Sequence, residues 1–174
     1  QRLLVLSGAG LSTHSGIPDY RSPSGSYSRG HKPMMHNEFV TSARARQRYW
    51  ARSLAGYEYF SRARPNAGHA ALAGLQGLGV VDSIITQNVD GLHDAAGSND
   101  VLELHGSIEK VECLACGERS PRSALQERLR ADNADWLRET RLLSTGLTEM
   151  RADGDSAISD AIISGLRVPC CASC

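Results

Sequence analysis

Two Cys-x-x-Cys pairs, Cys113 with Cys116 and Cys171 with Cys174, place the tightest constraint on how this chain folds. Each pair presents two sulfur atoms from one short loop, and four thiolates suit a tetrahedral Zn²⁺ ion at Zn–S distances of about 2.3 Å. To bind one ion, the pairs must meet in space although 54 residues separate them. Because the protein then supplies all four ligands, the predicted zinc is structural and not catalytic.

Two alternatives for these cysteines remain open at this point. A redox-active Cys-x-x-Cys is the main competing interpretation of either pair. Cys170 is the fifth cysteine, and it is either a free thiol or a replacement for its neighbour Cys171 as a zinc ligand. All five cysteines lie at or after position 113, and this clustering favours a metal site in a reducing compartment over a disulfide framework.

A short apolar run near the N-terminus leads into a glycine-rich turn. Residues 3–6, LLVL, predict a strand buried on both faces of a parallel sheet. Gly8 and Gly10 follow, and such a turn can bring bare backbone and its amide groups against a pyrophosphate. Thr13 stands where a dinucleotide fingerprint has its third glycine, so on this fragment alone a structural turn is the stronger interpretation.

The segment after the glycine turn, residues 13–32, strengthens the phosphate-binding interpretation. Residues 13–32 form an irregular stretch too long for a simple strand-to-helix connection, and long loops of this kind in a domain are usually functional. Asp19 and Arg21 place an acceptor and a cation on this loop, which could therefore reach over a bound nucleotide. An exposed ion pair is the ordinary alternative for these two charges.

Polar side chains also follow the next predicted strand, near residues 83–86. Gln87, Asn88 and Asp90 come directly after it, where open α/β sheets place their ligand-binding groups. Their amides and carboxylate suit a carboxamide and ribose hydroxyls. In isolation, the same residues are typical of a polar turn.

A third predicted strand, residues 101–106, ends in the sequence LELHG. An imidazole at this position, His105, could act as a general base near neutral pH. A single histidine is more often structural, so this residue needs support from its surroundings.

The order of the predicted elements indicates an α/β fold. Helices are predicted over residues 38–54, after a capping Asn66, and over residues 121–131 with Ser120 as the cap. The succession of strand, helix, strand and strand favours a parallel sheet with crossover connections. The character of the chain changes near residue 108, beyond which the cysteine pairs bracket a helical insertion. Residues 148–159 are predicted to form an exposed loop.

Charge and hydropathy exclude several classes of partner. The chain has 174 residues, 41% of them hydrophobic, which is enough for a packed core. Its 19 basic and 19 acidic residues balance, so no global field favours nucleic acid and no basic block favours a membrane surface. No segment approaches the roughly 20 apolar residues of a membrane span. We therefore expect neither nucleic acid nor a membrane as a direct partner.

Taken together and in this order, GAGLSTHSGIPDYRS, TQNVDGLH, LELHGS and the two cysteine pairs resemble the sirtuin family. The resemblance covers nearly the whole chain. The segments QRYWAR, PNAGHAAL and PRSALQERL make it most similar to the mitochondrial class II branch, the sirtuin-four type. The family's nucleotide-binding sheet continues beyond the second cysteine pair, so we expect this chain to be a fragment of a longer sirtuin.

The resemblance implies two domains. Residues 1–108 correspond to the N-terminal part of an NAD-binding, Rossmann-like domain with an incomplete parallel sheet, and they include a cofactor loop at residues 13–32. Residues 109–174 correspond to a small zinc-binding module with a helical insertion.

The resemblance also implies roles for individual positions. His105 matches the family's catalytic base, and Cys113, Cys116, Cys171 and Cys174 match its zinc ligands. The glycine turn would meet the phosphate and adenosine side of NAD, and the residues after the second strand would hold the ribose and nicotinamide. The cofactor-binding positions are then Gly8, Ala9, Gly10, Ile17, Asp19, Tyr20, Arg21, Gln87, Asn88 and Asp90.

The implied function is that of an NAD-dependent protein-lysine deacylase, of the deacetylase or lipoamidase type. NAD is consumed in this reaction: the acyl oxygen of a modified lysine attacks the ribose carbon that carries nicotinamide, and His105 deprotonates a ribose hydroxyl. The products are nicotinamide and O-acyl-ADP-ribose. Acyl-lysine proteins are the implied partners, and the mitochondrial matrix is the implied location.

Two other functions remain open from the sequence. One is protein mono-ADP-ribosyltransfer, in which a protein nucleophile captures the same cleavage of NAD. The other is a zinc-stabilised interaction fragment without catalysis.

Overall fold

The computed structural model describes residues 2–23, 25–30, 32–140, 158 and 160–174. The described residues fall into two units: the first draws on segments 1–31 and 60–108, and the second on segments 32–59, 109–140 and 158–174. The strands are β1 Leu3–Ser7, β2 Val81–Thr86, β3 Val101–Glu103, β4 Lys110–Glu112 and β5 Arg119–Pro121. The helices are α1 His36–Thr41, α2 Ala43–Phe60, α3 Ala67–Gly77, α4 Leu92–Ala95, α5 Arg122–Asp132, α6 Ala134–Thr140 and α7 Asp160–Ile163.

A three-stranded parallel sheet of order β1-β2-β3 forms the centre of the first unit. The predicted α/β class with a parallel sheet is thereby confirmed, and α3 provides the crossover between β1 and β2. The expected burial of β1 on both faces is wrong. Leu4 and Leu6 lie on the same face with 63% and 64% of their surface exposed, because no described element covers that face.

The connection between β1 and α3 is fixed by the predicted cap residue. A 3₁₀ helix, Ala9–Ser15, follows the glycine turn. Asn66 precedes α3, and its Oδ1 accepts hydrogen bonds from the backbone N–H groups of Gly68 and His69. Its Nδ2 donates to the Leu11 carbonyl at 2.8 Å and to Ser15 Oγ at 3.0 Å. One side chain therefore both caps α3 and joins it to the 3₁₀ helix.

Replacing Asn66 by alanine is expected to lower the free energy of unfolding of the intact protein by about 1–2 kcal/mol, because a cap and two further hydrogen bonds are lost. Asn66→Asp is the matched control, since it keeps the capping acceptor and removes only the Nδ2 donors. Urea unfolding should rank the wild type above the aspartate variant and the aspartate variant above the alanine variant. Equal midpoints for all three proteins would contradict this account of the connection.

The second unit is built around the helices α2, α5, α6 and α7. Its buried core consists of Ala51, Leu54, Ala55, Leu129, Trp136, Ile158, Ile163 and Leu166. The indole N–H of Trp136 donates to the Ile162 carbonyl at 2.9 Å and ties α6 to α7. Residues 32–59, which the sequence analysis placed in the first domain, therefore lie in the second unit, because α2 packs against α5 and α6. The functional division into a cofactor domain and a zinc module stays a prediction.

Two helix boundaries differ from the sequence expectation. The helix expected over residues 38–54 is interrupted at Ser42, whose backbone is extended with ψ of 115°. The Ser42 N–H donates to the Glu38 carbonyl at the end of α1. The Ser42 Oγ accepts a hydrogen bond from Ala45 N at 3.2 Å at the start of α2. Ser120 is not the cap of α5, because it lies in β5 opposite Val111 and Pro121 occupies the capping position.

The predicted loop at residues 148–159 lies outside the described residues, except for Ile158, which is buried in the core of the second unit. Within the described part of the chain, no helix is both long and apolar enough to cross a membrane.

Candidate active site and metal centre

A cavity of about 830 Å³ opens at the carboxyl ends of the parallel strands in the first unit. This volume lies within the range of roughly 300–1,000 Å³ that is usual for cofactor and ligand sites. Its wall includes nine residues that the sequence analysis selected: Gly8, Ala9, Gly10, Asp19, Tyr20, Arg21, Gln87, Asn88 and His105.

The glycine turn leaves space on the cavity side. A Cβ atom placed on Gly8 or Gly10 would meet no described atom within 4 Å. Protein packing therefore does not demand glycine at these positions. The open space fits the prediction that a phosphate group approaches this backbone closely.

His105 lies in the cavity wall just beyond β3. The Leu104 N–H still donates to the Thr86 carbonyl at 2.9 Å, and Gly106 then turns the chain with φ of +76°. The Nδ1 atom of His105 lies 3.0 Å from the Gln87 carbonyl oxygen. A carbonyl can only accept, so Nδ1 carries the proton and the Nε2 lone pair remains available as a base.

A cluster of hydrogen-bonded polar side chains, Asn88, Ser12 and Asp90, lies next to the cavity. The Asn88 side-chain amide donates to the Gly8 carbonyl at 3.1 Å and to Ser12 Oγ at 3.1 Å. Ser12 Oγ in turn donates to Asp90 Oδ2 at 2.6 Å, and Asp90 Oδ1 accepts from Leu92 N at 3.0 Å. The cluster fixes the loop after β2 to the loop after β1. The sequence analysis did not single out Ser12, although a serine two residues after a Gly-x-Gly turn is the available signal.

Two predicted cofactor residues do not line the cavity. Ile17 is 2% exposed and lies in the interior of the first unit. Asp90 is engaged by Ser12 and by the start of α4. Their predicted roles in cofactor binding remain predictions.

The described part of the predicted cofactor loop, residues 13–32, forms hydrogen bonds within itself beside the cavity. The Tyr27 N–H donates to the Tyr20 carbonyl at 2.9 Å, and the two aromatic rings lie 4.9 Å apart. Asp19 Oδ1 accepts from Ser22 N at 3.0 Å, and hydrogen bonds from Ser22 lower the pKa of the Asp19 carboxyl. A Cβ on Gly25 would come within 2.4 Å of the Tyr20 backbone, so this approach requires glycine. Local hydrogen bonds thus hold Asp19 and Tyr20 at the cavity wall.

Two buried histidines give the first unit a pH-dependent stability. Burial lowers the pKa of both His69 and His93 from 6.5, while Asp90 opposes the shift at both sites and Asp94 also opposes it at His93. Below about pH 6.5 the unfolded chain therefore binds protons that the folded chain does not, and stability falls as the pH falls. Each histidine changes the unfolding equilibrium by at most about tenfold per pH unit.

Urea unfolding of the intact protein between about pH 7 and about pH 5.5 tests this expectation. The wild type should lose stability on acidification more steeply than the His69→Gln and His93→Gln variants. The comparison between variants removes the contribution of all other titrating groups. Parallel pH profiles for the three proteins would contradict the assignment.

In the second unit, the four predicted zinc ligands come together. The sulfur atoms of Cys113, Cys116, Cys171 and Cys174 all lie within 4.8 Å of one another. The distances Cys113–Cys174 and Cys116–Cys171 are both 3.7 Å between Sγ atoms. Sulfur atoms at the corners of a tetrahedron with 2.3 Å bonds lie about 3.8 Å apart, so the four residues fit a Zn²⁺ ion.

Backbone N–H groups lie close to one sulfur atom of each cysteine pair. Ala115 N lies 3.4 Å from Cys113 Sγ, and Ser173 N lies 3.3 Å from Cys171 Sγ. Hydrogen bonds from the backbone N–H groups of Cys116 and Ala115 lower the pKa of the Cys113 thiol to about 6. The hairpin of β4 and β5 carries the first pair, and an Arg119–Glu112 ion pair of 2.7 Å spans it. Cys170 is exposed and lies outside the four-sulfur cluster, which favours Cys171 as the ligand.

Comparison with known proteins identifies relatives of the whole chain. The Sir2 family model matches residues 8–159. A Streptomyces coelicolor protein named NAD-dependent protein deacetylase 1 is 50% identical over 99% of this chain and 55% of its own length. The human NAD-dependent protein lipoamidase sirtuin-4, mitochondrial, is 46% identical over 100% of this chain and 54% of its own length. The chain thus spans about half the length of the curated relatives it matches.

A solved structure supports the fold. The structure described as "Sir2-p53 peptide-NAD+" is 33% identical, with a TM-score of 0.63 over 75% of this chain and 51% of the other. The likeness confirms the predicted Rossmann-like α/β class, and the sulfur cluster accords with the predicted zinc module.

Proposed function

The chain belongs to the Sir2 family, and we propose that the intact protein is an NAD-dependent protein-lysine deacylase. The observation that carries the proposal is the position of His105. His105, with Nδ1 bonded to the Gln87 carbonyl, belongs to the wall of an 830 Å³ cavity that is also lined by the glycine turn, Gln87 and Asn88. The names of the two relatives, a deacetylase and a lipoamidase, support the same reaction class.

The cavity residues fit NAD at both ends of the molecule. Bound NAD would supply a ribose carbon that loses nicotinamide when an acyl oxygen attacks it. The glycine turn offers backbone amides to the pyrophosphate, with open space in place of side chains. Just after β2, Gln87 would offer its amide group to the ribose and carboxamide. Asn88 would offer only its Oδ1 atom, because its Nδ2 donates to Gly8 and Ser12. The ring face of Tyr20 and the loop around it would limit the access of water to the cavity.

His105 would act as the general base. Its Nδ1–H bond to the Gln87 carbonyl fixes both the tautomer and the ring orientation. Nε2 would then accept a proton from a ribose hydroxyl. The carbonyl of Gln87 also stabilises the imidazolium that results, because it accepts from a more acidic N–H group.

The four-cysteine cluster would hold a structural zinc ion. Four sulfur ligands leave no coordination position for water or substrate, so the ion would take no part in the chemistry. Its proposed contribution is to the folding of the second unit.

The proposal is tested by incubating the intact protein with NAD and a panel of peptides that carry acetyl-, lipoyl- and longer acyl-lysine. We expect at least one peptide to lose its acyl group and to yield nicotinamide and O-acyl-ADP-ribose by mass spectrometry. If label from NAD instead remains on protein in a His105-dependent manner, the activity is mono-ADP-ribosyltransfer. If NAD stays intact with every peptide, the protein is a binding module and the proposal fails.

A mitochondrial location stays a prediction. The name of the human relative supports it, whereas the Streptomyces relative is bacterial. Imaging of the tagged intact protein in its own cells tests the location directly.

A further inference from the structure

His93 is buried beneath the cavity without forming part of its wall. It lies in α4, is 2% exposed and belongs to the first unit. Its Nε2 atom lies 2.8 Å from Ser7 Oγ. Ser7 is the last residue of β1, and unlike His93 it does line the cavity.

A chain of hydrogen bonds leads from this contact to Asn88. Ser7 Oγ donates to Thr86 Oγ1 at 2.9 Å, and the same Thr86 oxygen accepts from the backbone N–H of Asn88 at 3.1 Å. The Asn88 side chain then reaches the Gly8 carbonyl. His93 is therefore connected through two hydroxyl groups to both loops that line the cavity.

The tautomer of His93 follows the direction of the Ser7–Thr86 bond. With the Ser7 hydroxyl hydrogen directed to Thr86, Ser7 Oγ accepts from His93, and the proton of His93 lies on Nε2. His69 is arranged to match. Its Nδ1 accepts from the Asn66 N–H at 3.3 Å, so its own proton also lies on Nε2.

The two buried histidine rings pack edge to face, and each has one ring nitrogen without a partner in the described part of the chain. Their centroids are 5.1 Å apart at an interplanar angle of 69°. His69 Nε2, a donor, and His93 Nδ1, an acceptor, are both buried without a hydrogen-bond partner among the described residues. Burial lowers the pKa of both rings and so favours their neutral forms.

We propose that His93 is a positioning residue for the cofactor cavity: its Nε2–H group holds the Ser7–Thr86 hydroxyl pair, and this pair holds the backbone of Asn88. The effect on NAD rests on the proposed function, whereas the effect on Asn88 does not. His93 does not line the cavity. Its side chain is linked to the cavity wall through its contact with Ser7.

Three variants separate positioning from simple packing. His93→Leu fills the space but removes the donor, whereas His93→Gln retains an N–H group near the position of Nε2. Leu92→Ala is the matched control, because Leu92 is the buried neighbour in α4, at 4% exposure, and its side chain forms no hydrogen bond. We expect KM for NAD to rise about tenfold in the leucine variant and less than about threefold in the glutamine variant. The control should lower Tm and leave KM within about twofold.

A double-mutant cycle tests whether the effect passes through Ser7. In the Ser7→Ala background the hydroxyl pair is already broken, so His93→Leu should raise KM for NAD no further. Additive effects of the two substitutions would overturn the proposed route.

Amide hydrogen exchange of the ligand-free intact protein provides the test that needs no NAD. In His93→Leu the Asn88 N–H should exchange about tenfold faster, while the Leu104 N–H, which bonds to the backbone carbonyl of the same Thr86, should be unchanged. His93→Gln should restore slow exchange at Asn88. Equal acceleration at both amides would indicate a general destabilisation of the unit and would overturn the proposal. A ¹⁵N spectrum of the His93 side chain is the second test: a proton on Nδ1 instead of Nε2 would also overturn the proposal. If the wild type fails to cleave NAD, the proposed function fails, and these two measurements still decide the role of His93.

Discussion

Replacing His105 by alanine is expected to lower kcat for deacylation by about 10²–10⁴-fold, the usual contribution of a positioned general base. The ribose hydroxyl then loses the imidazole as its proton acceptor, and the amides of Gln87 and Asn88 in the same cavity wall cannot replace it because they are not bases. Affinity for NAD should change little, since the imidazole binds the Gln87 carbonyl and not the glycine turn. Nicotinamide release measured at saturating NAD and peptide isolates the effect on kcat.

Two controls accompany this measurement. His36→Ala removes an exposed histidine of the second unit and should leave both kcat and KM unchanged. The thermal stability of His105→Ala should equal that of the wild type, because His105 is an exposed residue beyond the end of β3. A His105→Ala protein that keeps more than about a tenth of the wild-type kcat would remove His105 from the role of base.

Removal of zinc is expected to unfold the second unit. Structural zinc bound by cysteine contributes roughly 10–16 kcal/mol of apparent binding free energy, which is comparable with the whole stability of a domain. The hairpin of β4 and β5 is only three residues long on each side, and it has the first cysteine pair at its turn. Without the ion, the two pairs have no other covalent or coordinate link among the described residues.

Metal analysis and circular dichroism test this expectation in the freshly purified intact protein. We expect about one zinc per chain, loss of helical signal on chelation or in Cys113→Ser, and recovery when zinc is added back. Cys170→Ser is the matched control, because Cys170 is an exposed cysteine adjacent to a ligand, and it should retain zinc and stability. Zinc content far below one per chain, or zinc loss in Cys170→Ser but not in Cys171→Ser, would contradict the assignment.

The features that could be predicted from the sequence have strong local signals. Asn66 was recognisable as a cap because asparagine before a helical pattern satisfies the first free N–H groups, and the structure bears this out. The two cysteine pairs could be joined because metal coordination imposes a short distance regardless of the 54 intervening residues. The parallel order of β1 to β3 followed from the alternation of strand and helix.

Features that depend on the surroundings of a residue could not be predicted in this way. Ser42 lies in the middle of the segment whose hydrophobic pattern predicts one helix. In the structure its N–H group ends α1 and its hydroxyl group starts α2. Leu4 and Leu6 belong to a continuous apolar run, which is typical of a fully buried strand. They are exposed because burial depends on which elements cover the sheet. Arg122 is an arginine with only 2% exposure, placed over the ring of Tyr57 at 4.4 Å, and burial lowers its pKa to about 10. Helical periodicity alone does not indicate such a buried charge.

In the candidate site, too, some residues could be predicted from local sequence and others could not. The glycine turn, Gln87, Asn88 and His105 were identifiable because each follows an apolar strand, and parallel strands end at one edge. Ser7, Ser12, Thr86 and His93 were not, because each is an ordinary polar residue whose importance comes from the hydrogen bonds that it makes in three dimensions.

The stoichiometry of the reaction shows whether loss of the acyl group is coupled to cleavage of NAD. The intact protein is incubated with NAD and an acyl-lysine peptide, and nicotinamide, free lysine peptide and O-acyl-ADP-ribose are quantified together. We expect the three products to form in equal amounts and none to form when either NAD or the acyl group is omitted. Loss of the acyl group without NAD, or cleavage of NAD at the same rate without an acylated peptide, would contradict this expectation.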